Sequence, residues 1–135
     1  MEKYNVLNDV KVFGVQVKTF PEGIGEAFDD LLKMLPEGFN RSFYGISEMT
    51  EKGFVYKAVA EEKHDNEANI YNCERSIIEK GEYLVAPVRD WRKKTDSIKY
   101  VFQEMMHNSS VDKTRPCIEW YINNDEMWCM VKSKN

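Results

Sequence analysis

The sequence predicts an α+β fold, a duplicated βαββ repeat whose antiparallel-type sheet carries two helices, with a ligand cleft between the repeats. Three observations predict it. Two stretches, residues 23–35 and 98–106, place apolar side chains at the three-and-four spacing of an amphipathic helix. Each is preceded by an alternating, β-branched or aromatic run and followed by two more such runs separated by a turn. The halves also correspond: Arg41-Ser42-Phe43-Tyr44-Gly45-Ile46 matches Arg115-Pro116-Cys117-Ile118-Glu119-Trp120-Tyr121 to within one residue of register.

In chain order, Val10 to Lys18 is the first strand, with one clearly apolar face, broken by Thr19-Phe20-Pro21-Glu22-Gly23. Ile24, Ala27, Phe28, Leu31, Leu32 and Leu35 form the apolar stripe of the first helix, which Pro36-Glu37-Gly38 ends. Arg41–Glu48 and Gly53–Glu61 read as a hairpin turning at Met49-Thr50-Glu51-Lys52. Residues 61–69 are polar and aperiodic, the pattern of a surface link between halves. Cys73–Lys80 alternates again, and Tyr83–Val88 is strand-like. Asp90-Trp91-Arg92 then stands where Thr19-Phe20-Pro21 stood in the first half, ahead of a helix carrying Ile98, Val101, Phe102, Met105 and Met106. A loop over 108–114 leads to a last hairpin, Cys117–Ile122 and Met127–Lys132, turning at Asn123-Asn124-Asp125. The expected organisation is one domain over 1–135, with repeat one about 8–62 and repeat two about 73–133.

Composition narrows the function classes. A chain of 135 residues with 42% hydrophobic and 31% charged residues fits a single globular core. No apolar run approaches the roughly 18 residues of a membrane span, and Met1-Glu2-Lys3-Tyr4-Asn5 lacks the pattern of a secretory leader, so a cytoplasmic address and no membrane partner are expected. A net charge of -4 opposes direct nucleic-acid binding, which needs a basic face. Cys73, Cys117 and Cys129 are odd in number and lack ligand spacing, so reduced packing cysteines are expected, with no metal and no cofactor. His64 and His107 show no spacing to a nucleophile, and no serine sits in a Gly-x-Ser-x-Gly turn. Trp120 and Trp128 read as core or rim, the methionines as packing filler, and the cluster Arg89–Lys94 as a solvated helix start.

The chemistry concentrates at Glu119. In a strand, Cys117, Glu119 and Tyr121 share one face while Ile118, Trp120 and Ile122 share the other. A carboxylate between a thiol and a phenol needs a cation, donors or water to hold its charge. Tyr83 and Trp91, near the strand-to-helix junction, are candidate walls, since an aromatic face attracts a cation by about 0.5 to 2 kcal/mol. Tyr44 and Tyr56 join them through the internal repeat.

The element order, the segment Ile77–Val85 with its Gly81-Glu82-Tyr83, and above all Pro116-Cys117-Ile118-Glu119-Trp120-Tyr121 resemble the GyrI-like family, the bacterial transcription-activator effector-binding domains, over nearly the whole chain. The resemblance implies a two-repeat sheet with two helices and a stand-alone small-molecule binding protein for lipophilic or aromatic cations, working as sensor, sequestering protein or adaptor. It makes Glu119 the anchoring anion and Tyr121 a wall or hydrogen-bonding residue. The family's frequent fusion to DNA-binding domains is not matched here. Two alternatives follow from the same resemblance: a hydrolase of cyclopropane-type genotoxins with Glu119 as its catalytic residue, or a topoisomerase-inhibitor-like protein.

Overall fold

The computed structural model describes residues 2–20, 22–35 and 40–134. Eight strands form one antiparallel sheet: β1 (Glu2–Val6), β2 (Val10–Gln16), β3 (Phe43–Thr50), β4 (Gly53–Glu61), β5 (Glu74–Ile78), β6 (Gly81–Arg89), β7 (Cys117–Tyr121) and β8 (Glu126–Lys132). Their order is β1-β6-β8-β7-β3-β4-β2-β5, and the sheet curls into a half-barrel. Three α-helices join it: α1 (Ile24–Met34), α2 (Glu67–Ile70) and α3 (Ile98–Met105). The α+β class stands, with one helix and one strand more than each expectation. The expected helix stop at Pro36-Glu37-Gly38 lies outside the described residues.

The sheet has two unlike faces because strand side chains alternate. On one face α1 and α2 bury Phe13, Tyr56, Ala58 and Leu31 together, and α3 buries Leu84, Met105, Met127 and Val131. On the other, Val12, Ile46, Val59, Val85, Ile118 and Met130 are buried with no helical residue among them. Curling of the sheet is what removes them from water, so this is the inner face.

Three departures have physical causes. β1 reads poorly in sequence because Glu2, Lys3, Tyr4 and Asn5 are all exposed. Backbone pairing to β6, from Glu2↔Val85 to Val6↔Gly81, holds this edge strand without an apolar stripe. The polar segment 61–69 is no simple link: Glu67 is 2% exposed. Its Oε1 accepts from Arg41 Nη1 at 3.0 Å and from the N–H groups of Lys63 and His64 at 2.6 and 2.9 Å. That carboxylate gathers the start of α2. Finally, two 3-10 turns, Trp91–Lys93 and Thr95–Ser97, separate β6 from α3. Among the described residues no helix is long and apolar enough to cross a membrane.

Candidate functional site

Glu119 sits at the middle of the sheet. β7 pairs with β3 so that Glu119 lies opposite Gly45, and with β8 so that it lies opposite Cys129. The alternation sends Cys117, Glu119 and Tyr121 to the helix-covered face and Ile118 and Trp120 inward. Glu119 Oε1 accepts two hydroxyls at once, from Tyr121 at 2.6 Å and Tyr56 at 2.7 Å, and the two phenol oxygens are 3.3 Å apart. Tyr56 reaches it from β4 across β3, which is possible because β3 carries a glycine there. A Cβ on Gly45 would overlap the Tyr56 hydroxyl and lie 2.6 Å from Glu119 Oε1.

Among the described residues no Lys, Arg or His pairs with Glu119; Arg115, at the start of the same segment, is engaged by Glu79 at 3.0 Å and Asp112 at 3.6 Å. Burial pushes the Glu119 carboxyl above its ordinary range, while the hydrogen bonds from Tyr121 and Tyr56 pull it back in part. Burial, then the Glu119 charge, drive both phenols well above 10, so both remain donors. Burial and then Glu119 push the Cys117 thiol up to about 11 and the Cys129 thiol up to about 12, which makes both poor nucleophiles.

Rings surround this pair of tyrosines. Tyr121 meets Phe28 of α1 edge-on at 5.1 Å and Trp91 at 5.0 Å. Phe20 stacks on Tyr56 at 5.0 Å and meets Phe54 at 4.9 Å. Trp91 is held in place by its Nε1–H donating to the Asn123 carbonyl at 3.1 Å, while the Asp90 N–H donates to the Asp125 carbonyl at 2.6 Å. The β7–β8 turn therefore fixes the junction after β6.

Of the six site residues expected from the sequence, the structure brings four together: Glu119, Tyr121, Tyr56 and Trp91. Tyr44 and Tyr83 belong to the inner face. Tyr44 is stacked on Trp120, and the Tyr83 hydroxyl donates to the Glu79 carbonyl at 2.6 Å. The reason is register: Tyr44 sits beside Gly45, so it takes the face opposite to Glu119. Phe20, Phe28 and Gly45 escaped the sequence reading as site residues. The signal for Gly45 was the alignment of halves, in which it falls level with Glu119; Phe28 was hidden in an apolar helical stripe that core packing explains equally well. Among the described residues no group of three His, Cys, Asp or Glu side chains could hold a metal ion.

No protein-family model and no curated protein sequence matches the chain. Solved structures do share its fold. An integron cassette protein from the mobile metagenome of Vibrio cholerae superposes with a TM-score of 0.74 at 10% identity, over 98% of this chain and 95% of that one. SAV2435, solved bound to tetraphenylphosphonium, gives a TM-score of 0.60 at 15% identity, over 97% and 93%. A hydrolase from Listeria innocua gives 0.55 at 10% identity, over 98% and 90%. At such identities the likeness is one of fold, and one protein of this fold binds a cationic aromatic compound.

Proposed function

We propose that this chain is a GyrI-like effector-binding domain, a duplicated βαββ unit that binds lipophilic aromatic cations over Glu119, between α1 and the Trp91 turn. The observation that carries this is a half-buried carboxylate held by two tyrosine hydroxyls with no basic partner among the described residues. Phenol donors stabilise the anion without neutralising it, so its charge remains available to a visitor. A cation about 4 Å away would gain roughly 4 kcal/mol at an effective dielectric near 20. The remainder of a micromolar affinity would come from apolar contact with Phe20, Phe28, Trp91 and the tyrosine rings. Binding requires these rings to part, and Phe20, 39% exposed and on a connecting segment, is the side chain best placed to swing away. The sheet order supports the duplicated reading: β3 and β7 are central neighbours, flanked in turn by β4 and β8, β2 and β6, and β5 and β1. The tetraphenylphosphonium complex of SAV2435 supports the ligand class.

The test is calorimetric titration of tetraphenylphosphonium into wild type and Glu119→Gln at neutral pH. The expected result is binding weakened about tenfold or more in the variant, a loss of at least about 1.4 kcal/mol. Equal affinity would remove the carboxylate from the account.

The raised Glu119 carboxyl favours one second reading, a hydrolase of strained electrophiles such as cyclopropane-type genotoxins. Glu119 would take a proton from water as the water oxygen attacks a ring carbon; the strained C–C bond breaks, and the carbon that leaves with its electron pair takes a proton back from the Glu119 carboxyl. Turnover of such a substrate by substoichiometric protein, abolished in Glu119→Gln, distinguishes this from binding.

A further inference from the structure

On the inner face, a groove of about 560 Å³ opens beside β1, the β1–β2 turn and the ends of β3 and β4. That volume lies in the range of small-molecule sites. Tyr44 of β3 and Trp120 of β7 line it, and the row of rings continues beyond them to β8: Tyr44 lies opposite Trp120, and Trp120 opposite Trp128. The Tyr44 and Trp120 rings stack at 5.7 Å with 29° between planes, while Trp120 and Trp128 meet edge-on at 5.3 Å. Curling of the sheet brings Tyr4 from edge strand β1 over the same indoles, 5.6 Å from Trp120 and 5.4 Å from Trp128. Trp128 spends its N–H on Glu126 Oε2 at 2.7 Å, whereas the Trp120 indole N–H has no partner among the described residues.

Charge along the groove is unbalanced. Glu62 is matched by Arg75 at 3.5 Å. That leaves Asp9 and Glu61 against Lys11 along the same groove. Glu61 Oε1 takes only a long hydrogen bond, 3.4 Å, from the Ser42 N–H, and among the described residues no cation pairs with it. A carboxylate without a cation in the same groove as the half-buried Trp120 indole suits a flat aromatic group that carries positive charge: the rings stack, and the cation is drawn both to Glu61 and to the negative ring face.

We propose that this groove is a second small-molecule site, distinct from the Glu119 site on the other side of the sheet, that takes a flat aromatic cation. Trp120 supplies the stacking surface, Tyr4 the rim and Glu61 the counter-charge. The proposal does not depend on what Glu119 binds.

The experiment uses N-methylquinolinium as probe, following the three tryptophan indole N–H signals by NMR, assigned with single Trp→Phe variants. In the Glu119→Gln protein, addition of the probe is expected to move the Trp120 signal and, less, that of Trp128, with Trp91 unmoved. Glu61→Gln in the same background is expected to weaken that titration about tenfold while the amide spectrum stays dispersed. The proposal is overturned if the Trp120 signal does not move at millimolar probe, or if it moves with the same midpoint when Glu61 is Gln. Failure of the Glu119 reading would appear elsewhere, as a Trp91 signal that the probe never shifts in wild type.

Discussion

At the scale of single residues, the governing fact is that an acid lies under aromatic cover, answered by hydroxyls in place of a base. Its cost to the fold has a definite sign. Because burial raises the folded-state value of Glu119 above its ordinary 4.5, ionisation costs more in the native state than in the unfolded chain. The stability it contributes is full below that ordinary value and is lost as pH rises through the raised one. Glu119→Gln should therefore melt higher than wild type at pH 8, with the gap closing toward pH 4; a thermal melt series across that range checks it, and a gap that widens on acidification would reverse the sign. Gly45 is the second decisive residue. Gly45→Ala must displace the Tyr56 hydroxyl and the Glu119 carboxylate, at an overpacking cost of about 1–3 kcal/mol. Urea unfolding should show that loss, and tetraphenylphosphonium affinity should change with it. Neither residue announces itself alone in sequence: Glu119 stands out only by its apolar neighbours, and Gly45 only by falling level with it.

At the scale of elements, the short helix α2 and its buried ion pair tie the segment after β4 to the start of β3. Arg41 and Glu67 have side chains only 0% and 3% accessible. Burial pushes the Glu67 carboxyl up, but the Arg41 guanidinium and the His64 and Lys63 N–H groups outweigh it and bring it down to about 2. Its contribution is thus present above its ordinary value of 4.5 and fades as pH falls toward 2. Truncation by Glu67→Ala leaves Arg41 buried without this partner and should cost about 3–5 kcal/mol, read from urea midpoints at pH 7. The same substitution should matter far less at pH 2. Segment 61–69 looked like solvent-facing linker because its polarity carries no period, and a lone buried carboxylate satisfied by backbone N–H groups leaves no periodic trace. The amphipathic helices α1 and α3 and the hairpin β3–β4 were legible because burial of one face imposes a repeat on the sequence.

At the scale of the whole molecule, the halves are interlocked. Among the described residues the first-half strand β1 pairs only with β6, and the second-half strand β5 only with β2. Residues 1–72 and 73–135 expressed separately should each lack a dispersed amide spectrum, because each leaves a central strand edge unpaired, and mixing them should restore it. Dispersed spectra from either half alone would contradict this. The exchange explains what sequence reading could not reach: periodicity reports which face of a strand is buried, never which distant strand lies beside it. Hence Glu119, Tyr121, Tyr56 and Trp91 lie together on the helix-covered side, while Tyr44 and Tyr83, one pleat out of phase, face the other. The pleat of β7 has a further implication. Glu119 and Trp120 are adjacent in the chain yet look out through opposite walls of the same sheet. Compounds lodged on either side would be separated by one backbone thickness, so any tilt of that strand favouring one guest alters the other's berth, and linkage makes such an influence equal in both directions.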